Sequence, residues 1–319
     1  MRYYWLLGLL AATLLTACKE EPKKTPAVPP VAKAAVKVPD FQADTAFAYI
    51  EKQLAFGPRV PGTSAHAQCA EWLAATFRAA GAEVMVQTAS VTAYNGSKLP
   101  MKNIIASFYP EKTKRIMLTA HWDTRPIADQ DSVRKNQPIP GANDGGSGVA
   151  ILLEIARHLG KDSLNVGIDL ILWDVEDYGM SEVENSYCLG SQYWSRNKHK
   201  PGYQAAYAIN LDMVGANGAT FVKEGMSMQY APEVVEKVWR NAERLGYGNL
   251  FTPLRSDGII DDHVYVNTIG GIKAIDIIDQ PDARGFFEHW HTHGDDIEAI
   301  SKETLKAVGQ TLLEVVYRE

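Results

Sequence analysis

Six runs of this chain read as β-strands, and helical patterns fall between several of them; that alternation constrains the fold more than any other feature. The strand-like runs are 83–92, 103–108, 115–120, 166–173, 205–211 and 271–278. Helical periodicity appears around Phe47, Ile50 and Leu54, again from Ser64 through Cys69, Trp72, Leu73 and Phe77, and then over 147–159, 232–245 and 301–316. Several strand runs are apolar at every position, as strands covered on both faces must be. The pattern predicts a largely parallel, helix-covered α/β sheet in a single domain over 41–319.

Acids and histidines gather where these strands end. His121 and Asp123 follow the run 116–120, Asp174, Glu176 and Asp177 follow 170–173, and Asp212 follows 208–211. Ligands of open α/β sheets bind beyond the carboxyl ends of the strands. Three acidic groups arriving at one edge repel unless something positive sits among them, and a divalent metal meets that need. A fourth carboxylate, Asp144, lies in the glycine-rich stretch 141–148, where Asn143-Asp144-Gly145 suits a tight, partly left-handed turn before a helix. Two further groups read as loop-borne, Ile260-Asp261-Asp262-His263 and Trp290-His291-Thr292-His293. Asp144, Asp177 and His291 are one set of donors that could supply a zinc site with one open position. Taken singly, His121 reads as a core histidine, while Asp174, Asp295 and Asp296 read as solvated or capping groups. The segment 124–140 is expected to edge the pocket.

The N-terminus predicts export. Arg2, an apolar run over 3–15 and Leu15-Thr16-Ala17-Cys18 have the layout of a secretory signal over 1–18, ending like a bacterial lipobox. Residues 19–40, rich in Pro, Lys and Ala, read as a tether. The expectation is a monomeric lipoprotein of the cell envelope that meets the membrane only through a lipidated Cys18. A net charge of −6 gives no footprint for nucleic acid. Cys69 and Cys188 are expected to be buried free thiols, since no zinc-type cysteine spacing exists.

Together these motifs resemble the M28 zinc-peptidase superfamily, and within it the animal-type and bacterial glutaminyl cyclases. The residues that carry the resemblance are Phe56-Gly57-Pro58-Arg59-Val60-Pro61-Gly62, Ala120-His121-Trp122-Asp123, Ala142-Asn143-Asp144, Trp173 to Asp177, Asn210-Leu211-Asp212, Asp261-Asp262-His263 and Trp290-His291-Thr292. The resemblance implies a single three-layer α/β/α domain with a twisted, mostly parallel mixed sheet and helices on both faces. It implies one Zn2+ per chain on Asp144, Asp177 and His291, Glu176 as general base and acid, and Asp212 and Asp261 assisting it. Trp290 and Phe286 would line the pocket, with Tyr187 or Trp194 standing in for a tryptophan that the animal enzymes carry nearby. The implied reaction turns an N-terminal glutamine of a peptide or protein into pyroglutamate and releases ammonia. Asp177 departs from the glutamate common at that position, so either the backbone brings a shorter side chain to the metal or the carboxylate binds differently. The alternative is a two-zinc aminopeptidase on His121, Asp144, Asp177, Asp212 and His291.

Overall fold

The computed structural model describes residues 1–4, 37–280 and 285–319. The chain divides into two units, Met1–Ala35 and Val36–Glu319, and every described helix and strand belongs to the second. Cys18 and residues 19–36 of the expected tether lie outside the described residues. Among the described residues no helix is long and apolar enough to cross a membrane.

In chain order the elements are α1 (Ala43–Leu54), α2 (Ser64–Ala79), β1 (Glu83–Thr92), β2 (Lys98–Phe108), β3 (Arg115–His121), α3 (Gly146–Leu159), β4 (Gly167–Trp173), α4 (Leu189–Arg196), β5 (Ala208–Asp212), β6 (Phe221–Lys223), α5 (Gly225–Tyr230), α6 (Pro232–Arg244), β7 (Phe251–Arg255), α7 (Asp262–Thr268), β8 (Ala274–Ile278) and α8 (Lys302–Tyr317). Six strands form one mixed sheet in the order β1-β2-β4-β3-β5-β8. β1 and β2 make an antiparallel hairpin, β2 joins β4 antiparallel, and β4, β3, β5 and β8 run parallel. His121, Trp173, Asp212 and Ile278 therefore close four neighbouring strands at a common edge.

Side-chain alternation assigns the two faces. Ile104, Ile116, Leu118, Ile168, Leu170 and Leu172 face the large core with α1, α3 and α8, whereas Ile105, Met117, Ile171 and Trp173 face a smaller one with Trp194 and Val266. With both faces covered, β3 and β4 are buried at every position, which is why they lack the polar alternation seen in β1. The sheet is thus the expected α/β arrangement, with helices on both sides.

Four elements escape the sequence pattern: α4 and α5 are short and polar, and β6 and β7 form a separate two-stranded sheet. The fifth is a correction. Asp262 and His263 are not loop-borne but open α7, with Asp261 as its N-cap accepting the N–H of Asp262. A seven-residue helix shows too little periodicity to register, although the Asp at its start is the usual cap signal. Cys69 and Cys188 are free and buried.

Candidate metal centre and pocket

The turn ahead of α3 differs from the one predicted. Its left-handed residue is Gly141 (φ +67°), and the Asp144–Gly145 peptide is cis. Gly141 is packed so closely that a Cβ there would lie 2.4 Å from Thr124 Cγ2. Arg59, fully buried, donates to the carbonyls of Trp122 (3.1 Å), Pro140 (2.8 Å) and Gly141 (2.7 Å), so the Gly-Pro-Arg segment clamps this turn. Asp295 completes the clamp by accepting the N–H groups of Asn143 (2.7 Å) and Asp144 (3.1 Å). On the opposite wall Asp123 accepts the N–H groups of Glu176 (3.0 Å) and Asp177 (3.3 Å). Each metal-facing carboxylate thus has its backbone held by a second, buried carboxylate.

Several strained backbone positions are at the same edge. Val175 (φ +54°), Met213 (φ +49°) and His291 (φ +56°) are left-handed, a conformation costly for non-glycine residues and worst for a β-branched one. They flank Glu176, follow Asp212, and coincide with His291. The turn at Val175, together with the Asp123 anchor, brings the short Asp177 side chain inward. Its Oδ1 lies 3.3 Å from His291 Nε2, and Asp144 Oδ2 lies 3.9 Å from that same nitrogen.

Asp144, Asp177 and His291 place one ligand atom each within 4.8 Å of the others, all three buried. Asp177 Oδ2 has no hydrogen-bond partner among the described residues, as a ligand awaiting a cation would not. His291 Nδ1 stands 3.1 Å from Asp129 Oδ1, the outer carboxylate that orients a metal-binding imidazole. Asp129 is gripped at both oxygens by Arg125 (2.8 and 2.9 Å), whose Nη1 also reaches Asp177 Oδ1 (3.2 Å). Burial pushes the His291 imidazole down, but Asp177, Asp129 and Asp144 outweigh it and lift it to about 9. The donor set fits zinc.

A second donor set adjoins the first through Asp144. His121 Nε2 lies 3.0 Å from Asp144 Oδ1 and 3.2 Å from Asp212 Oδ1. His121 is therefore no ordinary core histidine, since burial disfavours its charge while Asp123, Asp144 and Asp212 raise it well above the usual range.

The cavity in front of these groups holds about 280 Å³. It is lined by the acids Asp144, Glu176, Asp177, Asp212 and Asp261, by Ile259, Ile260, Ile278, Met213, Phe286 and Trp290, and by His291, Tyr187 and Ser181. Trp290 stacks on His291 (3.8 Å between centroids, 24°) and Phe286 leans on Trp290 (4.8 Å). Glu176 is pushed well above the carboxylate range by burial, aided by Asp177, Asp261 and Asp262 against His121. Asp212 is pushed up to about 7, again mainly by burial. Cys188 Sγ donates to Glu176 Oε1 (3.3 Å) and lies 3.9 Å from Asp261 Oδ1, linking the two acids.

Trp194 corrects the sequence reading. It is fully buried in the smaller core, packed on Trp173 and Tyr203, and its indole N–H donates to His199 Nδ1 rather than facing the pocket. Tyr187 does line the pocket. Asp174 and Asp295 are fully buried rather than solvated: Asp174 pairs with His66 (2.9 Å) and accepts the N–H of Lys102. Asp296 does cap a short 3-10 turn, Ile297–Ala299. Segment 124–140 contributes no lining residue; it supplies Arg125 and Asp129 from behind the metal donors. An Arg and an Asp four apart outside any periodic pattern gave no sign of that.

The sequence profile of Peptidase family M28 matches residues 103–316. The chain belongs to this family. Among solved structures, a Bacteroides thetaiotaomicron glutaminyl cyclase bound to N-acetylhistamine is 49% identical, covering 89% of this chain and 100% of that one with a TM-score of 0.87. A Tannerella forsythia glutaminyl cyclase is 51% identical over 88% and 100%, with a TM-score of 0.86. A Zn-dependent exopeptidase from Parabacteroides distasonis is 50% identical over 89% and 100%, with a TM-score of 0.87. Aminopeptidase YwaD of Bacillus subtilis is 30% identical over 68% of this chain and 44% of its own length. The chain spans less than half the length of the first curated relatives it matches. It is an M28 zinc enzyme with the α/β fold that these neighbours share.

Proposed function

We propose that this M28 enzyme is a glutaminyl-peptide cyclotransferase, turning an N-terminal glutamine into pyroglutamate and releasing ammonia. The observation that carries the reading is the pocket itself: about 280 Å³, lined by Asp144, Glu176, Asp177, Asp212 and Asp261 together with the apolar Ile259, Ile260, Ile278, Phe286 and Trp290. The solved glutaminyl cyclases at 49–51% identity support it.

A zinc ion on Asp144, Asp177 and His291 would supply Lewis-acid polarisation of a carbonyl group. The chain's own residues supply the rest. Trp290 and Phe286 pack on the aliphatic stem of the glutamine, folding it so that its α-amine meets its own γ-carbonyl. Glu176, raised by burial and neighbouring acids, is the group placed to take a proton from the amine and return it to the departing nitrogen. Asp212 and Asp261, which line the same pocket, assist that transfer. Export and lipidation at Cys18 belong to the same proposal; palmitate labelling that survives in Cys18→Ser would count against them.

The two-zinc aminopeptidase remains the second reading because His121, Asp144 and Asp212 also converge within 4.8 Å. Purified enzyme given a Gln-initiated and a Leu-initiated peptide separates the two. The expected products are ammonia and pyroglutamate from the first and nothing from the second. Free leucine without ammonia would overturn cyclisation.

A further inference from the structure

Behind Asp261 lies a set of buried ionisable groups that the proposed cyclisation leaves unused. Glu224 at the start of α5, His263 in the first turn of α7 and Asp276 in β8 are each at most 1% exposed. Glu224 is saturated with donors: Oε1 accepts the N–H groups of Met226 (2.7 Å) and Ile259 (2.9 Å), and Oε2 accepts both the N–H and the hydroxyl of Ser227 (2.7 Å each). His263 Nε2 lies 3.2 Å from that second oxygen. An ionised carboxylate only accepts, so Nε2 carries a hydrogen and the ring is fixed with Nδ1 turned toward Asp276. Asp276 Oδ2 stands 3.8 Å from Nδ1, and neither atom has a hydrogen-bond partner among the described residues. The Asn210 amide donates both to Asp276 Oδ1 (3.3 Å) and to Asp261 Oδ2 (3.0 Å), holding the two carboxyls side by side. One ligand-type atom from each of Asp261, His263 and Asp276 falls within 4.8 Å of the other two.

Two adjoining buried carboxyls cannot both stay ionised. The other titratable groups facing them are Asp212 from β5, Glu224, Asp262 from α7, and Glu176 and Cys188 beside Asp261; all are acids. Among the described residues His263 is the base in direct reach of the pair. We propose that His263, oriented by Glu224, is the proton-holding partner of the Asp261–Asp276 pair, so that Asp261 can receive a proton from the pocket and return it in each turnover. This rests on Asp261 serving the cyclisation proposed above. At rest the pair holds one proton, on Asp276. When Asp261 is protonated, the Asp276 proton passes from Oδ2 to His263 Nδ1. The resulting imidazolium is neutralised by Glu224, and Asp261 donates to the Asp276 carboxylate. The reverse transfers restore the starting state, with no other bond made or broken. His263 and Glu224 are positioning residues, since neither touches substrate.

Two measurements on the zinc-loaded full chain test this. In the first, His263→Gln keeps an N–H for Glu224 but removes the base. With a Gln-initiated peptide, kcat should fall about 10–100-fold, KM and zinc content should hold, and the pH profile of kcat should shift. Wild-type kcat and pH profile in that variant would overturn the proposal, as would a loss of kcat explained by loss of zinc. The second is nitrogen NMR of ¹⁵N-histidine wild-type enzyme, which stands even if the variant fails to fold. Nε2 of His263 should be protonated and Nδ1 bare at rest, and Asp276→Asn should move the Nδ1 resonance. A ring protonated on Nδ1 at rest, or an Nδ1 resonance indifferent to Asp276, would overturn it. Should wild-type enzyme make no pyroglutamate, the cyclase reading fails, while the NMR experiment still reports on the His263 arrangement.

Discussion

The same two strands, β3 and β4, end in opposite chemistry. At their starts, Arg115 meets Asp169 in a buried, two-point ion pair (2.6 and 2.8 Å), and Ser107 and Tyr203 donate to the remaining lone pairs. At their far ends, His121, Glu176 and Asp177 join Asp144, Asp212, Asp261 and Asp262 with too few donors to go round. Asp177 Oδ2, both Asp262 oxygens and His121 Nδ1 have no hydrogen-bond partner among the described residues. Arg115 and Asp169 are buried, whereas Glu176 and Asp212 face the cavity. A saturated buried carboxylate serves as a strut, whereas an under-partnered group of them is a seat for a cation and for protons.

The largest effect expected from this contrast is at the under-partnered end. Glu176→Gln should cut turnover by about 10²–10⁴-fold while zinc content, measured by elemental analysis, stays at the wild-type level. Retained turnover would remove Glu176 from its role. The opposite end should respond only in stability. Asp169→Asn strands the buried Arg115 guanidinium and should cost about 3–5 kcal/mol in chemical denaturation, with kcat of the folded fraction unchanged. Trp194→Ala belongs to the same class, at about 3–5 kcal/mol for a truncated core tryptophan. A fall in kcat with unchanged stability would return Trp194 to the pocket.

Glu224 sharpens the comparison because it is saturated yet lies near the catalytic edge. Burial pushes its carboxyl up, but His263 and the donors of Met226 and Ser227 outweigh that and hold it at about 2. Its folded value is depressed, so its stabilisation is fully present above about pH 4.5 and is lost as pH falls toward 2. Over that window the loss is about 3 kcal/mol. Glu224→Gln should flatten the acid limb of the stability profile there; an unchanged limb would contradict the assignment. The smallest effect belongs to the outer shell of the metal site. Asp129→Asn should weaken zinc binding about 10–100-fold, read by competition with a chelator, while leaving the fold intact.

The central sheet and the chemistry at its edge were legible because strand periodicity is local and because acids at strand ends share a destination. The short helix α7 was not, since seven residues with polar positions 262, 263 and 267 give no usable period. Arg59, Arg125, Asp129 and Asp295 act through irregular segments that meet only in three dimensions, so no spacing reports them. Trp194 misled for a related reason. The resemblance offered Trp194 as a stand-in for a pocket tryptophan of the animal enzymes, but it sits on α4, whose buried side faces the smaller core.

The central claim is that Asp144, Asp177 and His291 hold a single zinc ion while the adjoining His121 site remains an ion pair. Anomalous diffraction at the zinc edge from crystals of the zinc-loaded enzyme tests it most directly. The expected result is one peak among Asp144, Asp177 and His291. A second peak of comparable height among His121, Asp144 and Asp212 would contradict it and put a two-metal aminopeptidase in its place.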